Sequence, residues 1–245
     1  MTDDDSVLPR DRILLAASTL LAEHGREGVS TRSVSAAAGV QPQTIYRQYG
    51  DMQGLLNAVA KAGFAAYLEA KTTGEHPADP VDEFRAGWDG HVGFALQNPA
   101  LYALMYGDPR PGVESVTADI EAALGAVLRR VALAGRLRVS VERATGQVLA
   151  ANVGTALALL SARARGDAAG VDSELSIDTR EMVVGRLMDE AESRGERQAD
   201  TPASTAAVSA AALGASLPAV KDLFSAGELT LLGELLARVG TETGR

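Results

Sequence analysis

The chain has 245 residues, no cysteine and a formal net charge of −9. That length allows a large core and two subdomains, the missing thiols exclude disulfides and thiolate metal sites, and the acidity argues against non-specific nucleic-acid binding by the chain as a whole. No positively charged apolar leader opens it, and its longest apolar run, Val148 to Ala162, carries Asn152 and Thr155 and falls short of a bilayer span, so a cytoplasmic protein with no membrane contact is expected.

Residues 1–9 hold Asp3, Asp4 and Asp5 without apolar partners and are expected to form a disordered tail. A first helix is predicted from about Arg10 to His24, with Ile13, Leu14, Ala17, Leu20 and Leu21 on one side. Gly25 and Gly28 end it, and His24 suits a helix C-terminus better than a ligand role. Val29 to Leu56 then reads as two short helices, a tight turn and the start of a longer third. Thr31 is the expected cap of the first short helix, Val34 and Ala38 give it an apolar side, and Gly39 stops it. Pro42 opens the second, where no N–H is needed. Ile45 is its one buried-looking residue. Gln43, Thr44, Tyr46, Arg47 and Gln48 surround it, with no carboxylate before Asp51, which can cap the next helix. A helix this short must be docked on others. Amides, hydroxyls and a guanidinium are the groups that bond base edges and phosphate oxygens, so the pair reads as a helix-turn-helix. Between Arg10 and Ala60 the arginines 10, 12, 26, 32 and 47 stand against Asp11, Glu23, Glu27 and Asp51. So neutral a head implies modest affinity and a shallow salt dependence.

Residues 10–56 resemble the DNA-binding domain of the TetR family of transcriptional regulators. The resemblance rests on DRILLAASTLLAEHG, GVSTRSVSAAAGV and TIYRQYGDMQGLL, in order and at the family's spacing. It implies a homodimer that presents two recognition helices to successive major grooves of a near-palindromic double-stranded operator, with half-sites roughly 34–36 Å apart or a multiple of it. Carried over by position, Gln41, Gln43, Thr44 and Arg47 are base-reading candidates, and Thr31, Arg32, Thr44, Tyr46 and Tyr49 phosphate candidates. The chain departs from the family at Gln43, where a small residue is common, and at Met52, where a lysine is common.

A helix from about Asp51 to Lys71 follows, with Leu55, Leu56, Val59, Ala62, Phe64 and Ala66 inward. His76 lies in a loop over 74–80. Residues 81–106 hold most of the aromatic content. Phe84, Trp88, His91 and Phe94 share one helical face, Asn98-Pro99 breaks the helix, and Leu101, Tyr102, Met105 and Tyr106 lie on a short one. These residues are either plain core or the wall of a ligand cavity, and the polar tips of Trp, His and Tyr favour the cavity. Together with Phe64, Ile120 and Leu124 they are the ligand-binding candidates. The segment also resembles the regulatory domain of a TetR subgroup with similar aromatic spacing. Further helices are predicted over 113–133, 139–163 and 177–193. Arg129 and Arg130 near the end of the first suit its dipole. The second carries Gly146, Ala150, Gly154 and Ala158 four apart. Small residues let another helix approach; the resemblance implies a four-helix bundle with a second subunit. After a polar linker, an Ala-rich stretch leads to a last helix over 224–239, with a Ser225/Glu228 capping box and a stripe of Leu229, Leu232, Leu235, Leu236 and Val239.

The expected fold is therefore all-α: an N-terminal three-helix helix-turn-helix domain plus a C-terminal helical-bundle domain for ligand binding and dimerisation. The expected divisions are a tail at 1–9, the DNA-binding domain at 10–56, the regulatory domain at 57–194, and a linker with extra C-terminal helices at 195–245. His24, His76 and His91 lie far apart, and no phosphate loop or nucleophile elbow occurs, so no metal, cofactor or catalysis is expected. The aromatic-rich segment, with few ionisable groups, leads to the expectation of a repressor released by a small, mostly apolar effector. Alternatives are an activator or ligand-independent regulator on the same fold, a helical protein-interaction module, and a helical-bundle enzyme built around Trp88 or His91.

Overall fold

The computed structural model describes residues 8–72, 77–107, 114–166, 171–189 and 202–242. The expected tail, His76 and the 195–201 linker lie outside them or nearly so. The described residues form eleven α-helices and no β-strand, which is the all-α class read from the sequence. They gather in two compact units, one within Met1–Glu75 and Phe94–Asp119, the other within His76–Gly93 and Ile120–Arg245. The first unit thus takes in more than the 10–56 segment.

In the first unit, α1 (Pro9–His24) buries Ile13, Ala16, Ala17 and Leu21, and Gly25 ends it at φ 65°. α2 (Thr31–Ala38) is capped one residue earlier than expected, by Ser30 rather than Thr31. Ser30 is the residue with extended backbone, and a serine three positions on completes the reciprocal cap: the Ser33 N–H donates to Ser30 Oγ at 3.1 Å, and the Ser30 N–H to Ser33 Oγ at 2.9 Å. Gly39 closes α2 in the left-handed region at φ 62°, as its position predicts. α3 (Pro42–Tyr49) follows, holding one fully buried residue, Ile45. That side chain contributes about 1.5–3 kcal/mol of burial, and α3 is held by α1, α2 and α4 rather than by itself.

α4 (Met52–Thr72) starts under the Asp51 carboxylate, which accepts the Gly54 N–H at 2.7 Å. A Cβ on Gly54 would stand 2.1 Å from the Tyr49 carbonyl oxygen, so glycine permits the tight entry from α3. α4 buries Leu55, Leu56, Val59, Ala60 and Phe64; Ala66, expected inward, is exposed. α5 (Pro80–Gln97) breaks at Asn98, and α6 (Pro99–Tyr106) packs on both α1 and α4.

The second unit holds most of α5, then α7 (Glu114–Leu133), α8 (Val141–Arg165), α9 (Val171–Leu187), α10 (Pro202–Ser216) and α11 (Ala226–Glu242). α8 is longer than the apolar run suggests: its 25 residues suffice, by length and composition, to cross a membrane. Yet it is two-faced. Val148, Asn152, Thr155 and Leu159 are buried, while Glu142, Arg143, Arg163 and Arg165 are exposed. α9 begins six residues before the expected Ile177 and stops at Leu187 because the chain there turns to pair with the α7–α8 connection. Leu137 and Met188 form an isolated antiparallel bridge. The Arg138 N–H donates to the Leu187 carbonyl at 2.9 Å, and the Asp189 N–H to the Arg136 carbonyl at 2.8 Å. Buried Arg136 donates to both Asp79 carboxylate oxygens at 2.7 Å and to the Asp189 carbonyl at 2.6 Å; Arg138 pairs with the Asp189 carboxylate. Arg130, expected to act on its own helix dipole, pairs instead with Glu83.

Candidate nucleic-acid interface and effector-binding residues

The outward face of α3 is built as the composition predicts. Gln41, Pro42, Gln43, Tyr46 and Arg47 are exposed, Thr44 and Tyr49 half-buried, and neither α2 nor α3 has an acid in its first turn. Arg32 is exposed and Thr31 half-buried at the start of α2. Two of the phosphate candidates touch each other: the hydroxyls of Thr31 and Tyr46 lie 3.1 Å apart. The bond ties the N-terminus of α2 to the middle of α3 and brings two hydroxyls to one point on the surface.

Tyr49 is placed differently. Its hydroxyl donates to the Arg10 carbonyl at 2.7 Å, and the Arg10 guanidinium sits 5.6 Å from the ring centroid. Burial raises the phenol's pKa against the pull of Arg10, so it remains a donor. A phosphate contact needs that same proton. In this structure Tyr49 fastens the end of α3 to the start of α1, and Arg10 becomes a cation beside the recognition helix. No local pattern marks this pair, because its members stand 39 residues apart.

The effector candidates fall in both units. In the first, Phe64 and Phe94 meet edge-on at 6.2 Å, with Tyr67 against both at 5.6 and 4.6 Å, and the rings of Tyr102 and Tyr106 lie 4.7 Å apart, tilted by 40°. Met105 is buried, and burial pushes the Tyr67 and Tyr102 phenols well above their usual range, which keeps both protonated. In the second unit, Phe84 and Trp88 lie 6.3 Å apart; His91 and Ile120 are buried and Leu124 half-buried. The Trp88 indole donates to Ser176 Oγ at 3.1 Å. Its polar tip therefore links α5 to α9, a role beside which the cavity argument for this residue weakens. Nearby, Arg85 and Arg180 hold Glu181, and Arg180 also holds Asp89.

A cavity of about 230 Å³ opens in the first unit among α1, α4 and the α5–α6 break. Ser18, Leu21, Ala22, Val59, Gly63 and residues 97–101 line it, so none of the ten effector candidates does. Gly63 shapes it: a Cβ there would meet Leu101 Cδ2 at 2.5 Å. No group of three or more His, Cys, Asp or Glu able to hold a metal occurs among the described residues.

Residues 13–59 match the family model for "Bacterial regulatory proteins, tetR family". Through this segment the chain is similar to the tetR family. The HTH-type transcriptional regulator Rv1816 of Mycobacterium tuberculosis is 30% identical over 100 residues, which are 38% of this chain and 41% of that one. A regulator of Mycobacterium bovis, Mb1846, matches equally. The chain thus spans less than half the length of the curated relatives it matches. A solved protein of unknown function from Rhodococcus sp. RHA1 shares 25% identity at a TM-score of 0.61, over 77% of this chain and all of its own. A single-residue variant of TetR from Acinetobacter baumannii, solved in complex with minocycline, shares the fold at 19% identity and a TM-score of 0.53, over 73% of this chain and 96% of its own. The tetR match ends at residue 59, so it covers the docked α3 and its outward face but says nothing of the effector candidates.

Proposed function

We propose that this protein is a homodimeric, cytoplasmic transcriptional repressor that binds a near-palindromic operator and is released by a small, mostly apolar effector. The observation that carries the DNA-binding part is the acid-free outward face of α3, held on a tetR-family head by α1, α2 and α4. Gln41, Gln43, Thr44 and Arg47 read base edges. Thr31, Arg32 and Tyr46 take phosphates, Thr31 and Tyr46 as a hydroxyl pair. Tyr49 acts in this reading by holding α3 on α1.

Dimerisation is supported by α8 and α9. Gly146, Ala150, Gly154 and Ala158 are all exposed on one side of α8, and open space surrounds the Cβ positions of both glycines. On α9, Met182 is 65% exposed, with Leu175 and Gly185 also outward. Small and apolar residues exposed together on neighbouring helices suit a close helix–helix contact with a second copy. The effector is supported by the aromatic clusters, and by analogy of fold with a neighbour solved with minocycline. Its binding favours a state in which α4 tilts and the heads separate, with a coupling of about 1–3 kcal/mol.

The test is binding to DNA upstream of the protein's own gene across a salt series. Saturable binding is expected, with Arg47→Ala losing about 1–3 kcal/mol, the worth of a specific base contact. Retention of full affinity by Arg47→Ala would overturn the assignment of α3. A reporter behind the same DNA, silenced by the protein and restored by effector, separates repression from activation.

A further inference from the structure

Every residue lining the cavity of about 230 Å³ is uncharged, and all of them belong to the first unit. α1 supplies Ser18, Leu21 and Ala22, α4 supplies Val59 and Gly63, and residues 97–101 close it from the α5–α6 break. Leu21 and Val59 are buried, while Ala22, Gln97 and Pro99 are exposed and mark its mouth. The volume is about one and a half times the ~150 Å³ of an apolar cavity that stays dry and takes up benzene, so a bicyclic aromatic or a branched chain of about eight to ten carbons fits. Two polar side chains of the wall have their donors engaged already. The Ser18 hydroxyl donates to the Leu14 carbonyl at 2.9 Å, and the Asn98 amide nitrogen to the Phe94 carbonyl at 3.0 Å. What these side chains leave for an occupant is acceptor oxygen. With no ionisable group on the wall, a charged ligand would lose its hydration without gaining a partner.

We propose that this cavity is a ligand site separate from the aromatic clusters, that it takes a small, neutral, mostly apolar molecule carrying one hydroxyl or N–H donor, and that its occupant lowers operator affinity. The last part rests on the repressor reading; the binding site does not. The place of the cavity in the chain gives it a route to the recognition helix. Ser18, Leu21, Ala22 and Val59 fall inside the 13–59 segment, and α6 lies outside it. α1 and α4 both hold α3, and α6 packs on both of them. An occupant therefore touches the two helices that carry α3 together with the one packed against them. It favours the arrangement of α1, α4 and α6 that keeps the cavity open, and DNA that needs another arrangement binds more weakly.

Indole, bicyclic with a single N–H, is the probe. Benzothiophene has its shape without the donor, and indole-2-carboxylate adds a charge. Calorimetry on the full-length protein is expected to show indole binding at about 1 mM or tighter. Each comparator should bind at least about fivefold more weakly, the worth of one hydrogen bond. The chain has no cysteine, so Ala22→Cys places a single thiol at the mouth. Saturating indole is expected to slow maleimide alkylation of that thiol about fivefold or more and to leave an exposed control, Ala126→Cys, unchanged. Ala100→Leu, which fills the cavity from α6, should weaken indole binding about tenfold, with circular dichroism and the thermal midpoint confirming that it folds. Indole should lower operator affinity about fivefold or more in the wild-type chain and hardly at all in Ala100→Leu. No indole binding, or binding that leaves Ala22→Cys alkylation unchanged, overturns the site. Operator affinity that indole leaves unchanged, or lowers equally in Ala100→Leu, overturns the coupling. A wild-type chain that binds no operator while indole still protects Ala22→Cys overturns the repressor reading and leaves the ligand site standing.

Discussion

Ser35 is buried in α2, and its hydroxyl finds no partner among the described residues. A buried hydroxyl left unpaired costs about 1–3 kcal/mol, and serine is also a poorer helix former than alanine. Ser35→Ala is therefore expected to stabilise the protein by about 1 kcal/mol, read as a raised denaturant midpoint with unchanged slope. A fall in the midpoint would mean that the hydroxyl is satisfied by water. Several other hydroxyls of the head are engaged, and their partners assign their roles. Ser33 and Ser30 cap α2, which leaves Thr31 to meet Tyr46, while Tyr49 closes on Arg10. In the proposed reading Thr31 and Tyr46 touch DNA and orient each other, while Ser30, Ser33 and Tyr49 hold the helices that carry them.

Helices α5, α7 and α9 and the α7–α8 connection are joined by arginine–carboxylate pairs as well as by apolar packing. Arg136 holds the Asp79 carboxyl below its usual range, and Arg85 does the same for Glu181. Folded carboxyls that titrate below their unfolded values stabilise fully above the unfolded pKa, about 4, and lose that contribution as pH falls through the folded value. Stability is expected to be flat from pH 7 to about 5 and to fall below it. Arg136→Met should flatten the acid limb for Asp79 while costing stability at pH 7, because it strands a carboxylate and the Asp189 carbonyl. Denaturation at pH 3.5, 5 and 7 in both proteins measures this. An acid limb identical in the variant would show that the pair contributes nothing to the pH dependence.

For the whole molecule, the proposed affinity for a palindrome depends on joining two heads in a homodimer. One head has five arginines near four carboxylates, too few cations for tight binding alone. Gly154→Glu places a charge in the open space on the exposed side of α8. It is expected to give a folded monomer by sedimentation and to lower operator affinity at least tenfold, since two linked heads bind far better than one. A variant that stays dimeric would move the interface away from α8.

The amino-acid sequence alone determined the head. Its turn glycines and apolar spacing are local, so Gly39, Pro42, Ile45 and Asp51, like the Ser225/Glu228 box of α11 outside it, could be read within a few residues of where they act. The break at Asn98-Pro99 and the all-helical class were legible for the same reason. Helix ends set from a distance were not. α9 stops where it does because Met188 bridges to Leu137, and only the tertiary structure joins those residues. Long-range pairing also joins Trp88 to Ser176 and Tyr49 to Arg10, partners that position alone did not reveal. Periodicity shows which residues of a helix are apolar, not what covers them. The single leucine stripe read on α11 proved to be two, one against α10 and one exposed.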